Sequence, residues 1–338
     1  MSLENRYTGC LIAGAAGDAL GYAVEFSRLA QIRKTYGDEG ITEYKLTDGR
    51  ALVSDDTQMT LFTASGLLNA SGDKMEDYVD AIRNSYKAWY RTQTESGPIE
   101  SDEEPLLKHE ELFTRRAPGA TCLHAIQAGA VGTIENPMND SKGCGGVMRV
   151  APIGLRFGLS DEHSLRWVDE LGAKAAALTH GHPLGYIASA GLVHIVCGIL
   201  RSPEAPLSDV VNDMLSTVSD LFSGSSRIEK FTSIIEKAQT LAGSSMTDTD
   251  AIRQLGEGWV AEETLAIAVF CALRDPSDID RALRASVTHD GDSDSTGAVT
   301  GNILGTFLGI EAIPAKYTEH IEYKDILTDM ADALYEVS

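Results

Sequence analysis

Residues 184–200 read LGYIASAGLVHIVCGIL, and no Asp, Glu, Lys or Arg interrupts the run from Ala175 to Leu200. A helix this apolar on every face is either the centre of a helical core or a membrane span. His180, Gly181, His182, Pro183 and His194 fall within the uncharged stretch and are costly in hydrocarbon, so a buried core helix after a polar turn fits better. Working outward, helical signals dominate. Ile326, Met330, Ala333, Leu334 and Val337 make one stripe over 323–337. Ser226 with Glu229 reads as a capping box before 227–242, and Ser277 with Asp280 as a start near 278–287. Further helices are expected at 7–23, 55–70, 74–92, 120–132, 161–179, 207–221, 260–274 and 296–309. One weak alternation, 41–47, resembles a strand. The fold class read from this pattern is all-α.

A chain of 338 residues permits one large domain or two. Residues 93–118 carry Glu100, Asp102, Glu103 and Glu104 among Pro98, Pro105 and Pro118. They read as an exposed acidic loop rather than a boundary, so 1–338 is taken as a single domain. The net charge of −22 repels phosphate backbones and anionic membranes, which excludes a general nucleic-acid binder and predicts no membrane partner. Such acidity reflects solubility, or carboxylates that hold cations. Five scattered cysteines without a C-x-x-C suit a reducing cytosol. Glu4 and the glycines within 7–17 disfavour a signal peptide, so a cytoplasmic protein is expected.

Two carboxylate clusters carry the chemistry. Ser54-Asp55-Asp56-Thr57 stands directly ahead of an apolar run with Leu61, Ala64 and Leu68 on one face. One capping Asp is ordinary; two flanked by hydroxyls exceed what a cap needs and offer the oxygens a hard cation takes. His289-Asp290-Gly291-Asp292-Ser293-Asp294-Ser295 is the second. An EF-hand would need Gly at position six and Glu at twelve, where Ser295 and Gly301 stand. Taken alone, either cluster is best read as an acidic turn. Together, each opening an apolar helix, they point to one shared metal site.

Gly143-Cys144-Gly145-Gly146-Val147-Met148-Arg149 reads equally as a flexible turn or as a backbone cradle for an anion. Arg149 could pair with a phosphate or a core carboxylate. His180-Gly181-His182-Pro183 lacks zinc partners, which leaves hydrogen bonding to a substrate or to the following helix. His194 reads as a satisfied core histidine. Cys144 has no activating partner in the sequence. Asp18 is a buried cap or salt-bridge partner, and Glu25, among Tyr22, Ala23, Val24 and Phe26, is a candidate base with a raised pKa.

In combination these stretches resemble the ADP-ribosylglycohydrolase family. The resemblance is carried in order by Gly14-Ala15-Ala16-Gly17-Asp18-Ala19-Leu20-Gly21 with Glu25 and Phe26, Ser54 to Thr57, Gly143 to Arg149, Thr179 to Pro183, Gly258-Trp259-Val260-Ala261-Glu262-Glu263, and Gly291 to Thr296. It implies an all-α globule with a central cleft holding two Mg²⁺ or Mn²⁺ ions. Ser54, Asp55 and Asp56 would hold one ion. Asp292, Asp294 and Ser295 would hold the other, with Asp294 bridging. Gly119 and Gly143, Cys144, Gly145, Gly146 and Val147 would cradle a diphosphate, with His180 beside the ligand and Trp259 flanking the adenine. The terminal ribose would bind the ions, and Asp56 or Glu25 would take the proton of the attacking water. The implied reaction releases ADP-ribose from an ADP-ribosylated protein. The Ser-Asp-Asp-Thr and Gly-Asp-Ser-Asp-Ser forms look most like the arginine-directed members, whereas members acting on serine-linked or O-acetyl-ADP-ribose tend to differ there. The alternatives are O-linked hydrolysis, or a non-catalytic ADP-ribose-binding or immunity protein whose partner is an ADP-ribosylating enzyme or toxin.

Overall fold

The structure is a computed structural model and describes residues 2–338. Its central element is the helix Pro183–Arg201, in which every residue from Leu184 to Leu200 is buried. By length and composition this helix is apolar enough to cross a membrane, but its faces are covered here by neighbouring helices. Pro183 opens it and the Nδ1 of His182 accepts the Leu184 N–H at 3.1 Å, so the start needs no charge. His194, the polar residue at its middle, is held at 2.9 Å from Asp169 and 3.1 Å from Asp213.

In chain order the helices are α1 (Leu3–Tyr22), α2 (Leu29–Tyr36), α3 (Asp55–Leu68), α4 (Met75–Thr94), α5 (Ala120–Gln127), α6 (Ala151–Arg156), α7 (Leu165–Ala177), α8 (Pro183–Arg201), α9 (Leu207–Leu221), α10 (Ile228–Ala242), α11 (Asp248–Leu255), α12 (Ala261–Arg274), α13 (Ile279–Val287), α14 (Ser293–Leu308), α15 (Ala315–Thr318) and α16 (Lys324–Val337). The fold is all-α apart from one hairpin, in which Leu46–Thr47 pairs antiparallel with Arg50–Ala51. The strand-like reading of 41–47 therefore survives only at its last two residues. Around α8 pack α6, α7, α9, α12 and α14, and α14 in turn lies along α1.

Local chemistry moves several helix starts from their expected places. Ser226 caps nothing: Ser225 Oγ accepts the Arg227 N–H at 3.2 Å in a tight turn, and α10 begins after Arg227. Asp278 replaces Ser277 as the cap of α13, accepting from Arg281 N–H at 3.0 Å, because an anion suits the positive end of a helix better. The helix expected at 120–132 stops at Gln127, and the chain turns through Gly129 at φ 103°. Residues 93–118 are only partly the exposed acidic loop expected. Glu100, Asp102 and Glu103 are exposed. Glu104 is buried, taking the hydroxyls of Ser65 and Ser85 at 2.5 Å, and Leu106, Leu107 and Leu112 pin two 3-10 turns to the core.

The α1–α14 contact sets the position of the site. Gly9, Gly17 and Gly21 on one helix face Gly305, Gly297 and Ser293 on the other so closely that a Cβ on Gly17 would lie 2.0 Å from the Gly297 carbonyl oxygen. A Cβ on Gly297 would lie 2.3 Å from that of Gly17, with backbone that cannot swing aside. Gly297→Val is therefore expected to push the helices apart at a cost of about 3 kcal/mol. Denaturant melts should show this loss, whereas Gly224→Ala, where a Cβ meets nothing within 4 Å, should melt close to wild type. Equal melts for Gly297→Val and wild type would contradict the close-packed arrangement.

Candidate active site

That close approach brings the first turn of α14 against Asp18 of α1. Asp18 is fully buried and accepts from Ser54 N–H at 2.9 Å, from Thr57 N–H at 3.1 Å and from the Thr57 hydroxyl. It is a cap rather than a salt-bridge partner, and it ties the start of α3 to α1. Ser54 caps α3, its Oγ accepting the Asp56 N–H at 3.2 Å. Asp55 Oδ2 takes the Gly119 N–H at 3.1 Å. On the other side Asp292 caps α14, and its Oδ1 and the Oδ1 of Asp294 both accept from Ser295 N–H. The helix thus begins at Ser293, three residues ahead of the expected 296, and Asp294 and Ser295 lie in its first turn. Gly291, at φ 139°, lets the preceding loop pass against Glu257, where a Cβ would lie 1.9 Å from the carbonyl oxygen. Asp290 faces away from this centre and accepts the Leu29 N–H at 2.8 Å.

The two helix starts open into a cleft of about 220 Å³. Glu25, Asp55, Asp56, Gly119, Gly143, Cys144, Gly145, His180, Trp259, Asp292, Asp294 and Ser295 line it, together with Ala117, Ala120, Thr121, Cys122 and Met148, which sequence reasoning did not single out. A larger groove of about 450 Å³ runs between Arg33, Thr249 and Arg284, but it holds none of the predicted site residues. Chemistry therefore favours the smaller cleft. Three predicted residues lie outside its lining. Ser54 is fully buried beneath Asp55. Gly146 turns to Ala176 and Ser189, and Val147 is buried in the core. In a 3-10 turn successive residues point about a third of a circle apart, so five consecutive residues cannot all face one ligand. The amides of Cys144 and Val147 are already bonded to Trp259 O (3.3 Å) and Cys144 O (2.9 Å), and that of Gly119 to Asp55.

The electrostatics are one-sided. Asp18, Glu25, Asp55, Asp56, Asp292 and Asp294 are all buried. Burial, then repulsion from Asp294, raises the carboxyl of Asp18 to about 7, and burial followed by Asp294, Asp55 and Asp18 raises Glu25 to about 9. Asp55 is pushed up to about 8 by burial, despite the Gly119 hydrogen bond, and burial and Asp294 lift Asp56 and Asp292 well above the ordinary range. Arg116, whose carbonyl accepts from Asp55 N–H, sends its guanidinium to Glu322 at 2.8 Å. Glu25 Oε2 and Asp56 Oδ2 have no hydrogen-bond partner. The orphaned Asp56 Oδ2, among the carboxylates of Asp55, Asp292 and Asp294, belongs to a hard-oxygen set that fits a divalent cation of the Mg²⁺ or Mn²⁺ type. Among the described residues no three His, Cys, Asp or Glu side chains already converge as a metal cage. Cys144 Sγ donates to Asp292 Oδ2 at 2.8 Å, and its pKa is raised by burial and by Asp292, so it is a thiol donor and not a nucleophile.

The rim is aromatic. Phe26 and Trp259 are exposed and stack with centroids 6.2 Å apart, and the Arg28–Glu257 pair at 3.3 Å lies beside them. Behind the glycines, His180 Nδ1 lies 2.8 Å from Thr179 Oγ1. Arg149 does not pair with a core carboxylate: it is fully buried and donates to Thr179 Oγ1 at 2.7 Å.

Comparison with known proteins identifies the family and the fold. A model of the ADP-ribosylglycohydrolase family matches residues 1–338. ADP-ribosylhydrolase ARH3 of Bos taurus is 25% identical over 366 aligned residues, covering 98% of this chain and 93% of that protein. An uncharacterized protein of Archaeoglobus fulgidus is 26% identical over 345 residues, covering 99% of this chain and 97% of its own length. In fold, a solved structure described as an ADP-ribosylglycohydrolase-related protein complex superposes with a TM-score of 0.69 at 23% identity, covering 99% of both chains. The chain belongs to the ADP-ribosylglycohydrolase family.

Proposed function

We propose that this protein hydrolyses the glycosidic bond between the terminal ribose of ADP-ribose and an acceptor side chain, arginine being the acceptor that the Ser54–Thr57 and Gly291–Ser295 forms favour. One observation carries the reading: six buried carboxylates gather where α3 and α14 begin, with no Lys or Arg in the cleft lining, beside a glycine-lined wall and an aromatic rim. Ser54, Asp55 and Asp56 would hold one Mg²⁺ or Mn²⁺, and Asp292, Asp294 and Ser295 the other, with Asp294 shared. When bound, such a pair supplies concentrated positive charge and makes water acidic enough to attack at neutral pH.

The chain's own residues do the rest. Asp18 holds Ser54 and Thr57 in place and so fixes the directions of Asp55 and Asp56. Gly143 and Gly145 leave room for the diphosphate along the His180 wall. Trp259 and Phe26 offer a flat apolar edge to the adenine. Glu25 lines the cleft without being in the proposed ligand set, and its Oε2 has no hydrogen-bond partner, so it is assigned as the base in preference to Asp56. Burial and the neighbouring acids keep it protonated up to about 9 in the metal-free chain, and it would be free to take a proton only with cations held among those acids.

The test presents purified protein plus Mg²⁺ with arginine-linked and serine-linked ADP-ribosylated protein and with O-acetyl-ADP-ribose. Release of ADP-ribose is expected to be fastest from arginine. Cleavage of the O-linked substrates alone would overturn the acceptor assignment. Release from none, with ADP-ribose still bound, would overturn the hydrolase reading in favour of a binding protein.

A further inference from the structure

Arg149 is fully buried, yet none of its partners is a carboxylate. Its Nη1 reaches Cys122 Sγ at 3.4 Å and Met59 Sδ at 3.6 Å, its Nη2 reaches Thr179 Oγ1 at 2.7 Å and Ala175 O at 3.4 Å, and its guanidinium lies 4.2 Å over the Tyr86 ring. Nε has no partner at all. Burying a charge in this way is costly unless its field is used.

The short contact with Thr179 has a directional consequence. Arginine only donates, so Thr179 Oγ1 accepts from it and must place its own hydrogen elsewhere. Two acceptors are within reach: His180 Nδ1 at 2.8 Å and Ala176 O at 3.5 Å. Ala176 O already accepts from Thr179 N–H at 3.1 Å and His180 N–H at 2.9 Å, which fills its two lone pairs. The hydroxyl hydrogen therefore goes to Nδ1, which must be bare, and the proton of the neutral imidazole sits on Nε2. The Nε2 edge faces the cleft: a Cβ on Gly145 would lie 3.2 Å from it and one on Gly143 3.4 Å. Burial and the charge of Arg149 lower the imidazole pKa to about 3, so the ring stays neutral.

We propose that Arg149 and Thr179 are positioning residues that lock His180 as an Nε2–H donor, so that this wall selects an acceptor-only ligand group, a phosphoryl oxygen of the diphosphate, and that His180 does not act as a base. The identity of the ligand rests on the proposed function; the tautomer does not.

The test begins on the unaltered protein. ¹⁵N spectra of His180 should show a protonated Nε2 and a bare Nδ1 from about pH 6 to about pH 9. Thr179→Val, close in shape but without the hydroxyl, should lose that fixed tautomer and weaken binding of ADP-ribose by roughly 10- to 100-fold, with adenosine binding unchanged. Thr179→Ser should restore both. In turnover the Val variant should raise KM and leave kcat nearly as it was, a split that mere loosening of the fold would not give. A protonated Nδ1 in the unaltered protein overturns the relay. A Val variant that weakens ADP-ribose and adenosine alike overturns the assignment to the diphosphate. Absence of hydrolysis from any substrate, with the tautomer and the ADP-ribose selectivity intact, overturns the hydrolase reading and upholds the relay.

Discussion

Replacing Asp55 and Asp56 together by asparagine should lower turnover by about 10³-fold or more and, at the same time, raise the melting temperature of the metal-free protein by a few degrees. The two effects have one cause. Both side chains line the cleft, and both are held above their ordinary pKa by burial and by the neighbouring acids. Their charges are unfavourable to the fold when nothing cationic is near, and that same unfavourable charge attracts the ions on which the chemistry depends. Asparagine keeps the shape, and its amide oxygen can still accept the Gly119 N–H that Asp55 now takes at 3.1 Å. Turnover assays and melts in chelator measure the pair of effects. A variant that turns over normally removes these residues from the mechanism, and one that loses activity by melting lower assigns them a structural role instead.

The metal-free protein should also lose stability as pH rises, in contrast to proteins whose acids are salt-bridged. Glu25 titrates near 9, Asp55 near 8 and Asp18 near 7 in the folded chain, against about 4 when unfolded. Between those values the folded state holds more protons than the unfolded one. Stability is therefore fully present below about pH 4 as far as these groups are concerned, and it drains away as pH climbs through 7 to 9. Divalent cations should reverse the trend, since ligation needs deprotonated carboxylates. At a thousandfold excess over Kd the added stability is about 4 kcal/mol, or roughly 6 °C for a chain of this size. Melts at about pH 5 and about pH 9, in chelator and in Mg²⁺, supply the four values needed. Identical slopes with and without Mg²⁺ would mean that the carboxylates are not where the ion binds.

Much of this was legible in the sequence, for identifiable reasons. The absence of charge from 175 to 200 marks α8, and amphipathic stripes mark α9 and α16, because burial of a long helix leaves a long trace. The helices α2, α6 and α11 run for eight residues or fewer and leave too short a trace to read. Ser54 to Asp56 and Asp292 to Ser295 were visible as site candidates because hydroxyls and acids crowd before apolar runs. Their junction with Asp18 was not, since it depends on how closely α1 and α14 approach. A signal for that approach was present in glycines at four-residue intervals, Gly17 and Gly21 on α1 and Gly297, Gly301 and Gly305 on α14. Side-chain direction within Gly143–Val147 and the hydrogen-bond path from Arg149 to His180 have no counterpart in residue spacing.

The net charge of −22 now has a local meaning. An anionic ligand must enter a cleft walled by five acids, so binding of ADP-ribose should depend on the cations that those acids attract. The most direct measurement is a crystal structure of the protein grown with Mg²⁺ and ADP-ribose. Two ions are expected between the starts of α3 and α14, held by Asp55, Asp56, Asp292 and Asp294, with the terminal ribose on them and the diphosphate along Gly143, Gly145 and His180. Density for ADP-ribose elsewhere, or in this cleft with no ion among the carboxylates, would contradict this placement.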